Sequence, residues 1–184
     1  VFASVFGVSV GVTTKPVQEI EENVPYISDE APSFFGLLIR FEGAQSVYFA
    51  FDKQNRKTTV IMLPNNADSS SVLEYGYYVD CVSYADFDFL ARFIDNFGGI
   101  ELNTDSGLFK YTGVQITEML KKTNDIHFKK TVINRVINNI SEKTLERADL
   151  LMLIEGTDTD LNFPSAYYLH DTINSALSTV SFVN

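Results

Sequence analysis

The chain has 184 residues, of which 45% are hydrophobic and 21% charged, a length and composition typical of one globular domain with a sizeable core. Its 24 acidic residues outnumber the 14 basic ones and give a formal net charge of -10. This balance argues against a nucleic-acid partner, because non-specific binding to the phosphate backbone requires a basic surface.

Residues 1–33 form an N-terminal segment ahead of the predicted domain at residues 34–184. Residues 1–12 are apolar and uncharged, too few to span a bilayer, which takes about 20 residues. They are either a strand, as the alternation of Val8, Val10 and Val12 favours, or the end of a membrane helix. Residues 17–24 predict a short helix that ends before Pro25, and residues 28–32 predict a connector.

The predicted core begins at residue 34. The run FFGLLIRF over 34–41 is continuously apolar up to Arg40, which indicates a central strand buried on both faces. Residues 46–52 and 58–64 predict two more strands joined by a polar turn. Residues 42–44 predict a turn, 65–71 a loop and 76–83 a further strand.

The segment over residues 83–102 has the clearest pattern in the chain. Five apolar residues recur at three- and four-residue steps and so share one helix face: Phe87, Leu90, Phe93, Ile94 and Phe97. Ser83 and Asp86 have the spacing of a capping box at the start. Gly98 and Gly99 predict the end, because glycine accepts a positive φ without steric cost. Residues 100–102 then alternate as a strand.

The remainder predicts four helices and a last strand. Thr112 and Gln115 form a capping box for a helix that reaches about residue 122. Apolar stripes predict a longer helix from about residue 126 to 140 and another over 145–154, ending near Gly156. Residues 157–162 predict extended chain, Pro164 opens a helix, and residues 177–183 predict an apolar strand. Strands interspersed with helices predict a three-layer α/β/α sandwich around a mixed central sheet.

The sequence shows no motif of a common catalytic, metal-binding or nucleotide-binding site. Cys81 is the single cysteine, and its apolar surroundings favour a buried strand thiol over a reactive one. His127 and His170 have no carboxylate at diagnostic spacing, and no zinc-type cluster, P-loop or dinucleotide-binding glycine motif is present. We therefore predict no metal site and no catalytic residue from motifs.

Several segments resemble one known family. Residues 90–100 end in the pattern I-D-N-F-G-G-I, similar to the F-x-x-x-(I/V)-D-x-(L/F)-G-G-(I/V) signature of the LytR–CpsA–Psr domain. Residues 35–40, 46–64, 111–120, 127–140 and 157–169 resemble further family segments in the same order. The resemblance covers about three quarters of the chain.

The resemblance implies a function in the cell envelope of mainly Gram-positive bacteria. The family's domain is extracytoplasmic and is anchored by one N-terminal membrane helix. It transfers glycopolymers from polyprenyl pyrophosphate carriers onto peptidoglycan. Arginines hold the pyrophosphate bidentately, an aspartate places Mg²⁺ against it, and apolar walls surround the polyprenyl tail.

The family's charged residues are mostly replaced here. Where the family has R-S-D-T the chain has Gly-Ala-Gln-Ser at 43–46, and P-R-D becomes Pro-Asn-Asn at 64–66. The Y-x-R and R-x-x-R-Q motifs become Met-Leu-Lys at 119–121 and Ile-His-Phe-Lys-Lys at 126–130. The remaining candidate ligand-binding residues are Arg40, Lys121, Lys129 and Lys130. Alternatively, the lysines are solvated side chains on helix faces and Arg40 forms a surface ion pair with Glu42.

We therefore predict a degenerate, non-catalytic member of this fold that binds a polyprenyl-phosphate lipid or a cell-wall glycopolymer, or that serves as an interaction module. It would need no cofactor and would be anchored to the membrane through a helix ahead of residue 1. The alternative is an active phosphotransferase, which would require Mg²⁺. Transcriptional regulation by DNA contact, an older label for the family, is disfavoured by the acidic balance.

Overall fold

A computed structural model describes residues 31–41, 44–65, 67–104, 106–161 and 163–183, of which residues 163–168 are described by their backbone only. The predictions for residues 1–30 and for the turn at 42–43 lie outside the described residues. The strands are β1 Phe34–Phe41, β2 Ser46–Asp52, β3 Lys57–Leu63, β4 Cys81–Ala85, β5 Ile100–Thr104, β6 Gly107–Tyr111, β7 Asp158–Thr159 and β8 Thr179–Val183. The helices are α1 Ser69–Leu73, α2 Phe87–Asn96, α3 Gly113–Lys122, α4 Ile126–Lys143, α5 Arg147–Gly156 and α6 Phe163–Ala176.

Six of these strands form one mixed sheet in the order β7-β4-β1-β2-β3-β8. β1 is parallel to β4 and β3 is parallel to β8, whereas the other neighbours are antiparallel. β5 and β6 form a separate antiparallel ribbon. β1 lies between two partners, which explains why its sequence is continuously apolar.

Both faces of the large sheet are covered. Alternate residues of β1 point to opposite sides, so Leu37 joins one core and Leu38 the other. The Leu37 face packs against α4, α5 and α6. The Leu38 face packs against α1 and against Tyr77 and Val79 in the segment after it. The predicted α/β sandwich around a mixed sheet is confirmed.

Helix α2 begins three residues later than a cap at Ser83 requires. Ser83 is fully buried inside β4, and Asp86 is the residue that caps α2, accepting a hydrogen bond from the Phe89 amide at 2.6 Å. The predicted capping box is therefore wrong, because the strand continues to Ala85. The predicted end is confirmed: Gly98 and Gly99 both have positive φ angles, 89° and 79°.

Two other boundaries differ from the sequence prediction. The strand predicted over 76–83 begins only at Cys81, because Asp80 is hydrogen-bonded to Gly36 through its own amide at 2.8 Å and through its carboxylate at 2.7 Å. The loop predicted over 65–71 is interrupted by the start of α1 at Ser69, which Asp68 caps together with Ser71. Strand β6 was not predicted at all.

The later helices agree with their predicted positions. The Thr112–Gln115 capping box starts α3. Helix α4 begins at Ile126 and helix α5 ends at Gly156, as predicted. The two-residue strand β7 lies within the segment predicted to be extended. In the part of the chain that the structure describes, no helix is both long and apolar enough to cross a membrane.

Cys81 is 2% exposed, as expected of a strand thiol. Burial raises the pKa of the thiol to about 12. We expect the folded protein to react with a disulfide reagent such as DTNB at pH 8 at least a hundredfold more slowly than the unfolded protein. Stopped-flow labelling with and without denaturant measures this ratio. Equal rates in the two states would show that the thiol is accessible.

Candidate ligand-binding cavity

A cavity of about 220 Å³ lies between the Leu37 face of the sheet and the helices that cover it. Its walls are almost entirely aliphatic and aromatic. Strands contribute Leu37, Ile39, Phe41, Val47, Phe49, Phe51 and Met62, and helices contribute Phe87, Phe89, Leu90, Phe93, Leu120, Val132, Ile133, Val136, Ile137, Ile140, Leu150, Leu153 and Ile173. Phe93, predicted at the centre of a buried face, is only partly buried because its ring lines this cavity.

The cavity is elongated along α4. That helix lines it from Lys129 to Ile140, and the eleven steps between these residues rise about 16 Å. The cavity volume of about 220 Å³ lies beside that length of helix, and we call this space the channel. An extended apolar chain could lie along it.

A cation lines the channel at the start of α4. The Lys129 ammonium group donates a hydrogen bond to Oε1 of Gln45 at 2.9 Å, and both side chains line the cavity. The amide is neutral, so it satisfies one ammonium proton without offsetting the charge. An anionic group of a ligand could therefore bind Lys129 at this end.

Two aromatic rings lie beside that end. Phe41 and Phe87 stack with centroids 5.9 Å apart, and both line the cavity. The Lys121 ammonium lies over the Phe87 ring at 5.3 Å and pairs with Glu118 at 3.1 Å. Lys121 is therefore near the channel, but it is not part of its lining and its charge is already paired.

The far end of the channel has a carboxylate with a structural role. Asp149 lies in the first turn of α5, where its two oxygens accept hydrogen bonds from the Asn96 side chain at 2.7 Å and from the Glu146 amide at 2.8 Å. These bonds cap α5 and tie it to α2. Asp149 is thus engaged by the protein itself.

The four predicted binding residues are not brought together. Lys129 lines the cavity and Lys121 lies beside it, whereas Lys130 lies over the ring of Phe182 in β8 at 5.6 Å. Arg40 points to the opposite face of the sheet. There its guanidinium donates to the Ala67 carbonyl and to the Tyr84 hydroxyl, both at 2.7 Å, and lies over the Tyr84 ring. The cavity itself and the Gln45 partner were not identified from the residue pattern.

Magnesium does not fit the residues at the Lys129 end. Mg²⁺ in proteins is bound through carboxylate oxygens, and among the described residues no carboxylate lines that end of the cavity. The same residues contain no group of three His, Cys, Asp or Glu side chains that could hold a metal ion. The oxygen that is present, on Gln45, already accepts a proton from Lys129.

Solved structures share the fold. The chain matches a transcriptional regulator from Enterococcus faecalis at 16% identity and a TM-score of 0.65, over 82% of this chain and 75% of that one. It matches Bacillus subtilis TagT at 14% identity and a TM-score of 0.63, and TagT bound to LIIa-WTA at 15% and 0.65. Both TagT matches cover 96% of this chain and 86% of the other. No family model and no curated protein matches the sequence.

These structures are LytR–CpsA–Psr proteins, so the resemblance seen in the sequence is confirmed at the level of the fold. The identities are low, and the likeness extends no further than the architecture.

Proposed function

We propose that this LytR–CpsA–Psr-fold domain is a non-catalytic binding module of the cell envelope, whose ligand is an anionic lipid of the polyprenyl-phosphate class. The observation that carries the proposal is the apolar channel along α4 with Lys129 in its lining. The lipid chain would occupy the channel and its acidic head would replace Gln45 as the partner of Lys129.

The lining explains why the ligand is a lipid. Sites for small polar molecules carry several convergent polar groups, but among the described residues the lining is apolar except for Gln45, Lys129 and Asp149. Each CH₂ group transferred from water into such a lining contributes about 0.8 kcal/mol. Structures of TagT bound to LIIa-WTA and to LI-WTA, which share this fold, support a glycopolymer precursor as the ligand class.

The same residues argue against turnover. Phosphoryl transfer depends on cations that hold the phosphates in a fixed geometry, and no arginine lines the cavity among the described residues. Lysine is a point charge and cannot replace the planar fork of arginine. Each lost electrostatic contact to a transition state removes about 2.7–4 kcal/mol. The absence of several among the described residues, with no carboxylate at the Lys129 end to hold Mg²⁺, would leave little acceleration.

The place in the cell follows from the proposed ligand. A domain that binds envelope lipid would lie on the outer side of the membrane, behind an N-terminal helix. The gene sequence ahead of residue 1 tests this: we expect about 20 consecutive apolar residues preceded by basic ones.

Binding and turnover are measured together. We expect saturable binding of a polyprenyl phosphate that is unchanged by EDTA, and no phosphate release from a polyprenyl pyrophosphate with Mg²⁺. Lys129→Ala should weaken binding about tenfold or more, because a hydrogen bond to a charged group contributes about 1.5–3 kcal/mol. Calorimetry and a phosphate-release assay provide the two readouts.

Lys122→Ala is the matched control, because Lys122 is exposed and pairs only weakly with Glu118 at 3.4 Å. It should bind the lipid as the unaltered protein does. Phosphate release that Lys129→Ala abolishes would overturn the proposal and favour an active phosphotransferase.

A further inference from the structure

We infer that the Leu38 face of the sheet carries a second binding site, beside the turn between β2 and β3, and that this site takes a neutral sugar ring. The site is a depression of about 350 Å³, within the range of about 300–1,000 Å³ for small-ligand sites. It lies on the face of the sheet opposite to the channel, so it does not depend on the proposed lipid site.

The strand register explains why the depression exists. Phe34, Asp52 and Lys57 are direct partners across β1, β2 and β3, and the next row on the same face holds Ala50 opposite Thr59. All five residues line the depression. Ala50 and Thr59 have small side chains, so they form a floor below the longer ones.

Two aromatic rings border this floor. Phe34 and Tyr77 stack with centroids 6.4 Å apart and ring planes 13° from parallel, and both line the depression. Tyr77 also packs against Tyr48, at 5.8 Å between centroids, whereas Phe34 is 37% exposed. The face of a sugar ring presents C–H groups, whose partial positive charge suits the negative face of an aromatic ring. The pair thus offers a surface on which a sugar stacks.

Polar groups that bind hydroxyls lie next to the rings. Oδ1 of Asp52 accepts a hydrogen bond from the Asn55 amide at 2.9 Å, and Oδ2 accepts one from the Asn55 side chain at 2.7 Å. These bonds, with a smaller effect of the Lys57 charge, hold the pKa of Asp52 below its usual value. The ionised carboxylate keeps about two of its roughly four acceptor positions open. Among the described residues, no group accepts a hydrogen bond from the Lys57 ammonium, so its donors are available to a ligand.

The charges of the depression favour a neutral ligand. Asp52 and Lys57 contribute one charge of each sign from paired positions on β2 and β3. An anion drawn to Lys57 would meet the Asp52 carboxylate, and a cation drawn to Asp52 would meet the ammonium. A sugar bonds to both groups at once, because each hydroxyl is a donor and an acceptor.

Nuclear magnetic resonance titration of the isotope-labelled protein tests the site. Glucose, galactose and N-acetylglucosamine at millimolar concentrations should each be tried, and at least one should give saturable shifts confined to the amides of residues 34, 50–59 and 77. Phe34→Ala should weaken that binding about fivefold or more, because truncation of an aromatic anchor is among the costliest changes in a binding site. Lys57→Ala, which removes a donor outside the ring pair, serves the same purpose if the first variant does not fold.

Phe109→Ala is the matched control, because Phe109 is 47% exposed and lies on the separate ribbon, in β6. It should bind the sugar as the unaltered protein does. Equal weakening by the two phenylalanine variants would overturn the inference. So would the absence of saturable shifts with every sugar, or tighter binding of a zwitterion such as free leucine. Each of these outcomes leaves the proposed lipid site untouched.

Discussion

Replacement of Gly113 by alanine should lower the Tm of the domain by about ten degrees. A Cβ atom at this position would lie 1.9 Å from the backbone oxygen of Ala91, so α3 would have to move away from α2. Overpacking of this kind costs about 1–3 kcal/mol, and more where the obstacle is backbone. The move would also break the hydrogen bond that the Gly113 amide donates to the Asp95 carboxylate at 2.7 Å.

Val114→Ala is the matched control, since Val114 lies in the same turn of α3 and is 61% exposed. Exposed substitutions of this kind change stability by about 0.5 kcal/mol at most. Thermal melts followed by circular dichroism compare the two variants. If both variants have the same Tm as the unaltered protein, the close approach of α2 and α3 does not exist.

The second large effect is an expected difference between two adjacent leucines of β1. Leu38→Ala should destabilise the domain by about 3–5 kcal/mol, because Leu38 is fully buried among Tyr48, Ile61 and other closely packed side chains. Leu37→Ala should cost at least about 1 kcal/mol less, because Leu37 lines the cavity and has fewer protein contacts to lose.

Urea unfolding measures the free energy of unfolding of each variant. The comparison is direct because both variants carry the same substitution, leucine to alanine, in the same strand. Equal losses would show that no cavity adjoins Leu37.

Features with a local cause could be predicted from the sequence. The start of α3 depends on Thr112 and Gln115, three residues apart, and each side chain bonds to the backbone of the other. The end of α2 depends on the positive φ that Gly98 and Gly99 accept. These signals require no knowledge of the rest of the fold.

Features that depend on contacts between residues distant in sequence could not be predicted. The apolar residues before Cys81 look like strand, but Asp80 bonds to Gly36, 44 positions away, and holds them out of the sheet. The short helix α1 was missed because five residues are too few to show an apolar stripe. The pairing of β8 with β3 likewise leaves no trace in either segment alone.

The candidate site likewise has features that the sequence could predict and features that it could not. The resemblance pointed to Lys129, but its partner Gln45 lies 84 positions earlier in the chain. Alternation along β1 indicates that Arg40 and Leu38 share a side. It cannot tell which side faces the cavity, because helices distant in sequence create that cavity.

The pairing of β3 with β8 also affects how the protein is made. Thr59 and Ser181 are partners across these strands although 122 positions separate them. At about 5–20 residues per second, the ribosome needs roughly ten seconds to synthesise the chain between them, and during that time the outer edge of β3 has no β-strand partner. An unpaired edge invites association with other chains. Nascent chains made in a cell-free system without membranes and stalled before residue 179 should therefore depend on a chaperone that shields β3, whereas chains extended past residue 183 and clear of the exit tunnel should not.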